Sequence, residues 1–290
     1  MRLSVRHRTT YTYGDFVTTS HHEARLTPRE SETQRTVTHE LSVTPAPESQ
    51  RRRFDYFGNR ALHFSLSEPH RSLSVLAHSV VEIKPHHPPE LHATPAWESV
   101  RDRLRSDRRR DVLDAYAMTF DSPFVAAAAE LIAFGEPHFE PGRPVLSAVN
   151  ALVTAIFREF TYDPRATDVS TPILDVMRTR RGVCQDFAHL AIGCLRARGL
   201  AARYVSGYLL TRPPPGKTRM VGADASHAWI ATFIPEHGWV DFDPTNGVMP
   251  RGEHVTLAYG RDFADVTPIR GVILGGGHHE LSVAVDVEAI

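Results

Sequence analysis

The 290-residue sequence has only two cysteines, Cys184 and Cys194, no long apolar run and no marked excess of charge of either sign. Two cysteines are too few for a disulfide scaffold, and about 15 Å of helix would separate these two, which is out of reach of a disulfide. No stretch approaches the roughly 20 apolar residues of a membrane span. The net charge of −1 gives no overall field that would favour nucleic acid or a membrane.

The first residues, Met1–His7, contain no apolar segment of the kind found in signal peptides. We therefore expect a soluble cytoplasmic protein with neither a nucleic acid nor a membrane as partner. Histidine is abundant, and three pairs lack companion ligands at zinc-like spacing: His21-His22, His86-His87 and His278-His279. The sequence predicts no metal and no cofactor.

Apolar and polar residues alternate over much of residues 1–83, which is typical of strands half-buried in a sheet. Turn-forming sequences separate these stretches, as at Gly14-Asp15 and Gly58-Asn59. The pattern predicts an antiparallel β-sandwich domain over residues 1–84. Four prolines between 85 and 95 then predict a linker over residues 85–100.

Residues 101–290 are predicted to form the second domain. It opens with six arginines within residues 101–110, and we interpret them as a solvated helix face rather than a nucleic-acid patch, because no aromatic residues are interleaved. Helical periodicity follows Pro144 to Phe160, a shorter helix is predicted from Pro172 to Gly182, and a buried helix from Cys184 to Gly199. Strands are predicted at residues 203–210, 227–234, 239–243 and 281–287.

Three residues in this domain carry the chemistry expected of a covalent acyl-transfer site. Cys184 lies at the predicted start of the buried helix, where the helix dipole favours a thiolate and free N–H groups could bind an oxyanion. Cys194 lies on the apolar stripe of the same helix and is interpreted as a buried structural residue. His227 opens a predicted strand and would serve as general base and acid.

Asp243 is the preferred partner for the imidazole of His227. Two antiparallel strands joined by the turn at residues 235–238 would bring the start of the first strand close to the end of the second. Asp241 competes for the same role, since residues two apart on a strand point to one face. Asp243 is preferred because Pro244 ends the strand there.

Other polar and aromatic residues near the three are weaker candidates. Gln185 would either present its backbone N–H to an oxyanion or cap the helix, and Trp229 would either wall the substrate channel or lie buried in its strand. Asp224 and Asn246 are interpreted first as turn residues and second as part of the mouth of the site. Asp186 is expected to complement the helix dipole.

Three blocks of the sequence resemble the bacterial transglutaminase-like proteins of the papain-like cysteine superfamily: Gly182-Val183-Cys184-Gln185-Asp186-Phe187, Ser226-His227-Ala228-Trp229 and Phe242-Asp243-Pro244-Thr245-Asn246-Gly247. Residues 203–208 resemble the strand that follows the nucleophile helix in that family. The β-rich first domain resembles the one that precedes its core. The resemblance implies an α+β protein, with an N-terminal antiparallel β-sandwich followed by a papain-like transglutaminase core whose nucleophile helix packs on an antiparallel sheet.

The resemblance further implies that Cys184 is the nucleophile, His227 the base and acid, and Asp243 the orienting carboxylate. His227 follows Cys184 by 43 residues, whereas papain-type proteases separate the two by roughly 130–150. No calcium-loop pattern is present. We expect hydrolysis of a peptide or protein amide through a thioester, with glutamine transamidation or a non-catalytic binding module as alternatives.

Overall fold

The computed structural model describes residues 1–211 and 226–290 and is a mixed α+β fold. The first part consists of strands: β1 (Arg2–Ala24), β2 (Gln34–Thr44), β3 (Ser49–Phe54), β4 (Arg60–Leu66) and β5 (His70–Ile83). The middle consists mainly of helices: α1 (Trp97–Ser106), α2 (Arg110–Tyr116), α3 (Ala129–Gly135), α4 (Val145–Glu159), β6 (Thr161–Tyr162), α5 (Ile173–Thr179), β7 (Arg181–Gly182) and α6 (Cys184–Ala197). The last part is again mostly strand: β8 (Ala202–Leu209), β9 (Ser226–Ile234), β10 (Gly238–Phe242), β11 (His254–Gly260), α7 (Phe263–Val266), β12 (Ile269–Gly275) and β13 (His279–Ala289).

Strand β1 organises the N-terminal sheet because both of its halves are paired on both sides. Its first half lies between β5 and β13, and its second half lies between β4 and β12. The register shifts between Thr12 and Val17, where one half gives way to the other. Apolar side chains from β1, β4 and β5 share one core, which includes Val17, Phe64 and Val75. The strand-rich antiparallel part predicted at the N-terminal side is confirmed, and with β12 and β13 it forms one seven-stranded sheet.

The domain boundaries predicted at residues 84 and 100 stay a prediction. The strand pairing shows, however, which sheet the last strands of the chain join. Strands β12 and β13 pair with β1, so residues 269–289 belong to the N-terminal sheet rather than to the sheet of the core. A second buried cluster is continuous from β1 and β5, through α1 and α4, to α6. The two parts of the molecule therefore pack against each other through apolar side chains.

The core is an antiparallel sheet in the order β10-β9-β8-β11, and α6 packs against β9 and β8. Alternation along the strands divides their side chains between two faces. Tyr204, Ala228 and Ile230 share the buried cluster with α6, whereas Val205, Trp229 and Ala231 form a separate cluster on the other face. The sheet therefore has a face covered by the nucleophile helix and a back face turned away from it.

Helix boundaries predicted from the sequence agree closely with the structure except around α5. Helix α6 begins at Cys184 as predicted, and Pro144 caps α4. Helix α5, however, ends at Thr179, with Arg180 in the left-handed conformation at φ 54°, and not at Gly182. The arginine-rich segment is divided between the end of α1 and the start of α2.

Candidate active site

The start of α6 is held in place by a carboxylate in its first turn. Asp186 Oδ2 accepts hydrogen bonds from the backbone N–H of Val183 at 2.8 Å and from Thr167 Oγ1 at 2.7 Å. A Cβ on Gly182 would lie 2.6 Å from the same oxygen. The absence of a side chain at Gly182 thus makes room for Asp186. This arrangement fixes the position of Cys184 at the first residue of the helix.

Cys184 is only partly buried, while Cys194, ten residues further along the same helix, is fully buried. Burial raises the pKa of the Cys194 thiol to about 12. The side chain of Cys184 lies close enough to His227 to contribute to the raised pKa of the imidazole. The structure thus brings the first two predicted residues into contact and leaves Cys194 in the core.

His227 lies between the thiol and a buried carboxylate. Its Nε2 is 2.7 Å from Asp243 Oδ2, which leaves Nδ1 for Cys184. The His227 side chain is 10% exposed and that of Asp243 is fully buried. Burial alone would lower the pKa of His227, but the hydrogen bond with Asp243 and the interaction with Cys184 outweigh it and raise that pKa above 6.5.

Asp243 accepts five hydrogen bonds, which is the densest set of polar contacts around the site. Oδ1 accepts the backbone N–H groups of Thr245 and Asn246, at 2.9 Å and 3.1 Å. Oδ2 bonds with His227, with Asn246 Nδ2 at 2.7 Å and with His254 Nε2 at 3.0 Å. Although burial raises its pKa, the bonds from the two histidines outweigh this and hold the carboxyl well below its usual range.

Asn246 is the turn residue that the sequence suggested first, and its place at the mouth of the site stays a prediction. It forms the turn after β10 through its backbone, and its side chain bonds the carboxylate of Asp243. Asp224, the other residue considered for the mouth of the site, lies outside the described residues.

His254 is the residue that sequence reasoning missed. It opens β11, which is separated from β9 by β8 in the core sheet. Gly207 lies between them, opposite His227, and a Cβ there would come within 2.6 Å of the Trp229 ring and 2.0 Å of the Val255 carbonyl oxygen. The missing side chain leaves space for Trp229 to pack edge-on against His254, with ring centres 5.0 Å apart. No local motif marks His254, because its role depends on strand order.

The two weaker candidates have different surroundings. Trp229 is fully buried and packs beside the rings of His227 and His254, which favours the interpretation as a buried strand residue. Gln185 donates from Nε2 to the carbonyl of Val169 at 3.3 Å, and its backbone N–H lies in the first turn of α6, where helical N–H groups have no intrahelical acceptor. Its predicted oxyanion role stays a prediction.

Three donor atoms that could hold a metal ion lie within 4.8 Å of one another among the described residues, on His227, Asp243 and His254. The two imidazoles each reach the same carboxylate oxygen at hydrogen-bond distance. Hydrogen bonding accounts for this proximity, and the predicted absence of a metal stays a prediction. In the described part of the chain, no helix is both long and apolar enough to span a membrane.

Comparisons with known proteins match both halves of this architecture. The bacterial transglutaminase-like N-terminal region matches residues 3–82, and the transglutaminase-like superfamily matches residues 134–244. Uncharacterized proteins of Mycobacterium tuberculosis and Mycobacterium bovis are each 40% identical to the chain over 295 residues, covering 99% of it and 92% of the relative. The chain belongs to the transglutaminase-like superfamily.

Two further relatives extend the comparison. A solved structure from Cytophaga hutchinsonii, described as a proposed cysteine protease, superposes on this transglutaminase-like protein with a TM-score of 0.76. It covers 99% of the chain and 90% of the other at 23% identity, and so shows the shared fold. A protein-glutamine gamma-glutamyltransferase of Pseudomonas aeruginosa is 34% identical over 135 residues, which is 41% of this chain and 20% of the relative. The core thus has the fold of papain-like cysteine enzymes, as the sequence predicted.

Proposed function

We propose that this transglutaminase-like protein cleaves an amide bond in a peptide or protein through a thioester at Cys184. The observation that carries the proposal is the placement of His227, which hydrogen bonds with Asp243 and has the Cys184 side chain close enough to contribute to its raised pKa. A nucleophile, a base and a group that orients the base are the parts that covalent acyl transfer requires.

In the acylation half, the thiolate of Cys184 attacks the amide carbonyl carbon and forms a C–S bond. Protonated His227 gives its proton to the leaving nitrogen as the C–N bond breaks, and an amine departs. Asp243 stays ionised and holds the imidazole in the tautomer that faces the sulfur. The free N–H groups in the first turn of α6 would stabilise the negative oxygen of the tetrahedral intermediate.

In the deacylation half, we propose water as the acceptor. His227 takes a proton from water, a C–O bond forms, the C–S bond breaks, and a carboxylic acid leaves while the thiolate and imidazolium are restored. Water needs no dedicated binding site, whereas an amine acceptor does. Peptide or protein substrates and a cytoplasmic location belong to this proposal as predictions from the sequence.

Transamidation is the second candidate, and the name of the Pseudomonas aeruginosa relative favours it. The acylation half would be the same, starting from a glutamine side chain and releasing ammonia. A primary amine would then replace water in the second half, so that a new amide bond forms as the C–S bond breaks.

Mass spectrometry of a glutamine-containing peptide library, incubated with the protein with and without an added primary amine, tests the proposal. Cleaved backbones, or glutamine converted to glutamate, would support hydrolysis, whereas ammonia release with amine incorporation would support transamidation. Cys184→Ala should abolish every product, while Cys194→Ala should preserve them. Products that persist in Cys184→Ala would contradict a thioester at this residue.

A non-catalytic module that kept the fold is the third candidate. It predicts no product in either assay and no special reactivity of Cys184, so it differs from both enzymatic proposals in an observable way. The thiol-reactivity measurement described in the Discussion makes this distinction without knowledge of the substrate.

A further inference from the structure

The back face of the core sheet, turned away from α6, forms one wall of a cavity. The cavity has a volume of about 680 Å³, and residues 31–34 and 86–89 form its opposite wall. Arg203, Asp241, His254 and Tyr259 line it on the sheet side. Cavities of this size hold small molecules or short peptides. Cys184 is not among its lining residues, so the cavity is separate from the sulfur although it reaches His254.

Arg203 is a half-buried cation that packs against two aromatic rings. Its guanidinium carbon lies 3.5 Å from the centre of the Tyr259 ring and 4.2 Å from that of Trp239. Within the described residues it forms no ion pair, and its buried Nε has no hydrogen-bond partner. Burial lowers the pKa of Arg203 to about 10. The two rings flank the guanidinium, and its Nε–H lacks an acceptor, which an anion would supply.

Asp241 lies on the same wall of the cavity as Arg203 and carries the opposite charge. Arg203 and Asp241 both pair with Ala231, one from β8 and one from β10, so the three residues form a row across the back face. Neighbouring strands are about 4.8 Å apart, which puts the backbones of Arg203 and Asp241 roughly 10 Å apart with a small side chain between them. Burial raises the pKa of Asp241. Its carboxylate would gain from a cationic partner.

Two buried imidazole nitrogens complete the set. His254 Nε2 lies at hydrogen-bond distance from Asp243, and His254 Nδ1 is buried without a partner in the described part of the chain, as is His86 Nδ1. While Nε2 donates to Asp243, the Nδ1 of a neutral imidazole is an acceptor that lacks a donor. One cavity is therefore lined by a cation, a carboxylate and two imidazole nitrogens that lack partners.

We propose that this cavity binds a short zwitterionic peptide, of dipeptide size, with its carboxylate on Arg203 and its ammonium group between Asp241 and His254. A dipeptide separates its charged ends by roughly 7 Å, and the side chains span the remainder of the row. Charges of both signs in one cavity select against ligands that carry only one charge. Binding here does not require the reaction at Cys184.

Isothermal titration calorimetry of the full-length Cys184→Ala variant tests the inference, because this variant cannot consume the ligand. The three probes are L-alanyl-L-alanine, its N-acetyl derivative and its C-terminal amide. We expect saturable binding of the free dipeptide and about tenfold weaker binding of each derivative that has lost one charge.

Variants made in the same background assign the two ends. Arg203→Met should weaken the binding of the free dipeptide about tenfold, so that it binds no more tightly than its C-terminal amide. Asp241→Asn should instead make the free dipeptide bind no more tightly than its N-acetyl derivative. Arg51→Met, an exposed arginine on β3, serves as the matched control and should bind like the parent. Thermal unfolding verifies that each variant is folded. If Arg203→Met does not fold, the binding of the three probes to Asp241→Asn still tests the proposed site.

No saturable binding by folded protein up to about 20 mM would show that the cavity holds water only and would overturn the inference. Equal binding of all three probes would overturn it as well, as would undiminished binding to folded Arg203→Met. Failure here would leave the amide chemistry untouched, because that is measured on protein with Cys184 intact and by product mass rather than by binding.

Discussion

Asp241 and Asp243 are two residues apart on the chain and differ in almost everything that decides what a carboxylate does. Asp243 accepts five hydrogen bonds and has a lowered pKa. Asp241 shares the wall of a cavity with the half-buried Arg203, to which it is not bonded, and burial raises the pKa of Asp241. Their spacing along the strand would put both carboxylates on the same face. The hydrogen-bond donors that reach only Asp243, above all Asn246 and His254, therefore decide which carboxylate orients His227.

The largest expected effect is on turnover. Asp243→Asn should lower kcat/KM about 10⁴-fold, because an amide at this position does not hold the tautomer of His227 that faces the sulfur. Asp241→Asn should stay within about threefold of the parent, because Asp241 does not contact His227. Steady-state kinetics on a substrate found in the peptide library gives both values. Equal losses in the two variants would break the comparison.

The two cysteines of α6 offer a second contrast. Iodoacetamide should alkylate Cys184 at least about 10³ times faster than Cys194 at pH 7, because Cys194 is fully buried and burial raises its pKa to about 12. His227→Ala should slow the labelling of Cys184, and Cys194→Ala should not. Peptide mapping by mass spectrometry after timed quenching measures the rates. Equal, slow labelling of both residues would favour the non-catalytic module.

His254 should have an effect of intermediate size. His254→Phe removes one of the hydrogen bonds to Asp243, and we expect a loss of about 10-fold in kcat/KM and a shifted pH–rate profile. His254→Gln keeps a donor and should recover part of the loss with the original profile. The exposed His237, on the turn between β9 and β10, provides the control variant His237→Phe. An unchanged pH profile in His254→Phe would show that His254 only fills space.

The smallest effect is expected in how the Tm depends on pH, where Asp243→Asn and Asp241→Asn should shift the Tm in opposite directions. Asp243 has a folded-state pKa below its unfolded value of 3.8, so it stabilises the fold above that value and loses this contribution as pH falls through the folded pKa. Asp243→Asn should therefore lower Tm at pH 7, with the gap to the parent closing in acid.

Asp241 has a folded-state pKa above 3.8, so its ionisation costs stability at neutral pH and nothing once both states are protonated. Asp241→Asn should raise Tm at pH 7, and the gap should close as pH falls below about 4. Scanning calorimetry between pH 3 and 7 checks both variants, and shifts of the same sign would remove the distinction between the two carboxylates.

Local patterns were sufficient for the elements that carry the predicted site. A polar stretch followed by an apolar stripe places the start of α6 at Cys184, and the turn at residues 235–238 is what brings the end of β10 back beside His227. Asp243 could be preferred over Asp241 because Pro244 marks the end of the strand.

Features that depend on the pairing of strands far apart in the sequence were not predicted. His254 reaches Asp243 because β11 joins the far edge of β8, and alternation along β11 carries no information about that neighbour. The end of α5 was missed because Arg180 takes a left-handed conformation that usually falls to glycine or asparagine. The cavity beside Arg203 depends on both parts of the molecule, so no single segment indicates it.

The pairing of β1 with β12 and β13 has a consequence for the order of events during synthesis. Leu3 pairs with Ala289, and Ala24 with Ile269, so β1 waits for partners that the ribosome produces only after α6 and the core sheet. The N-terminal sheet is then completed after α6 and its sheet have been made, although it precedes them in the sequence. Until then one edge of β1 lacks its partner along nearly its whole length, and nascent chains halted before residue 269 should depend on chaperones to keep that edge from pairing with other chains.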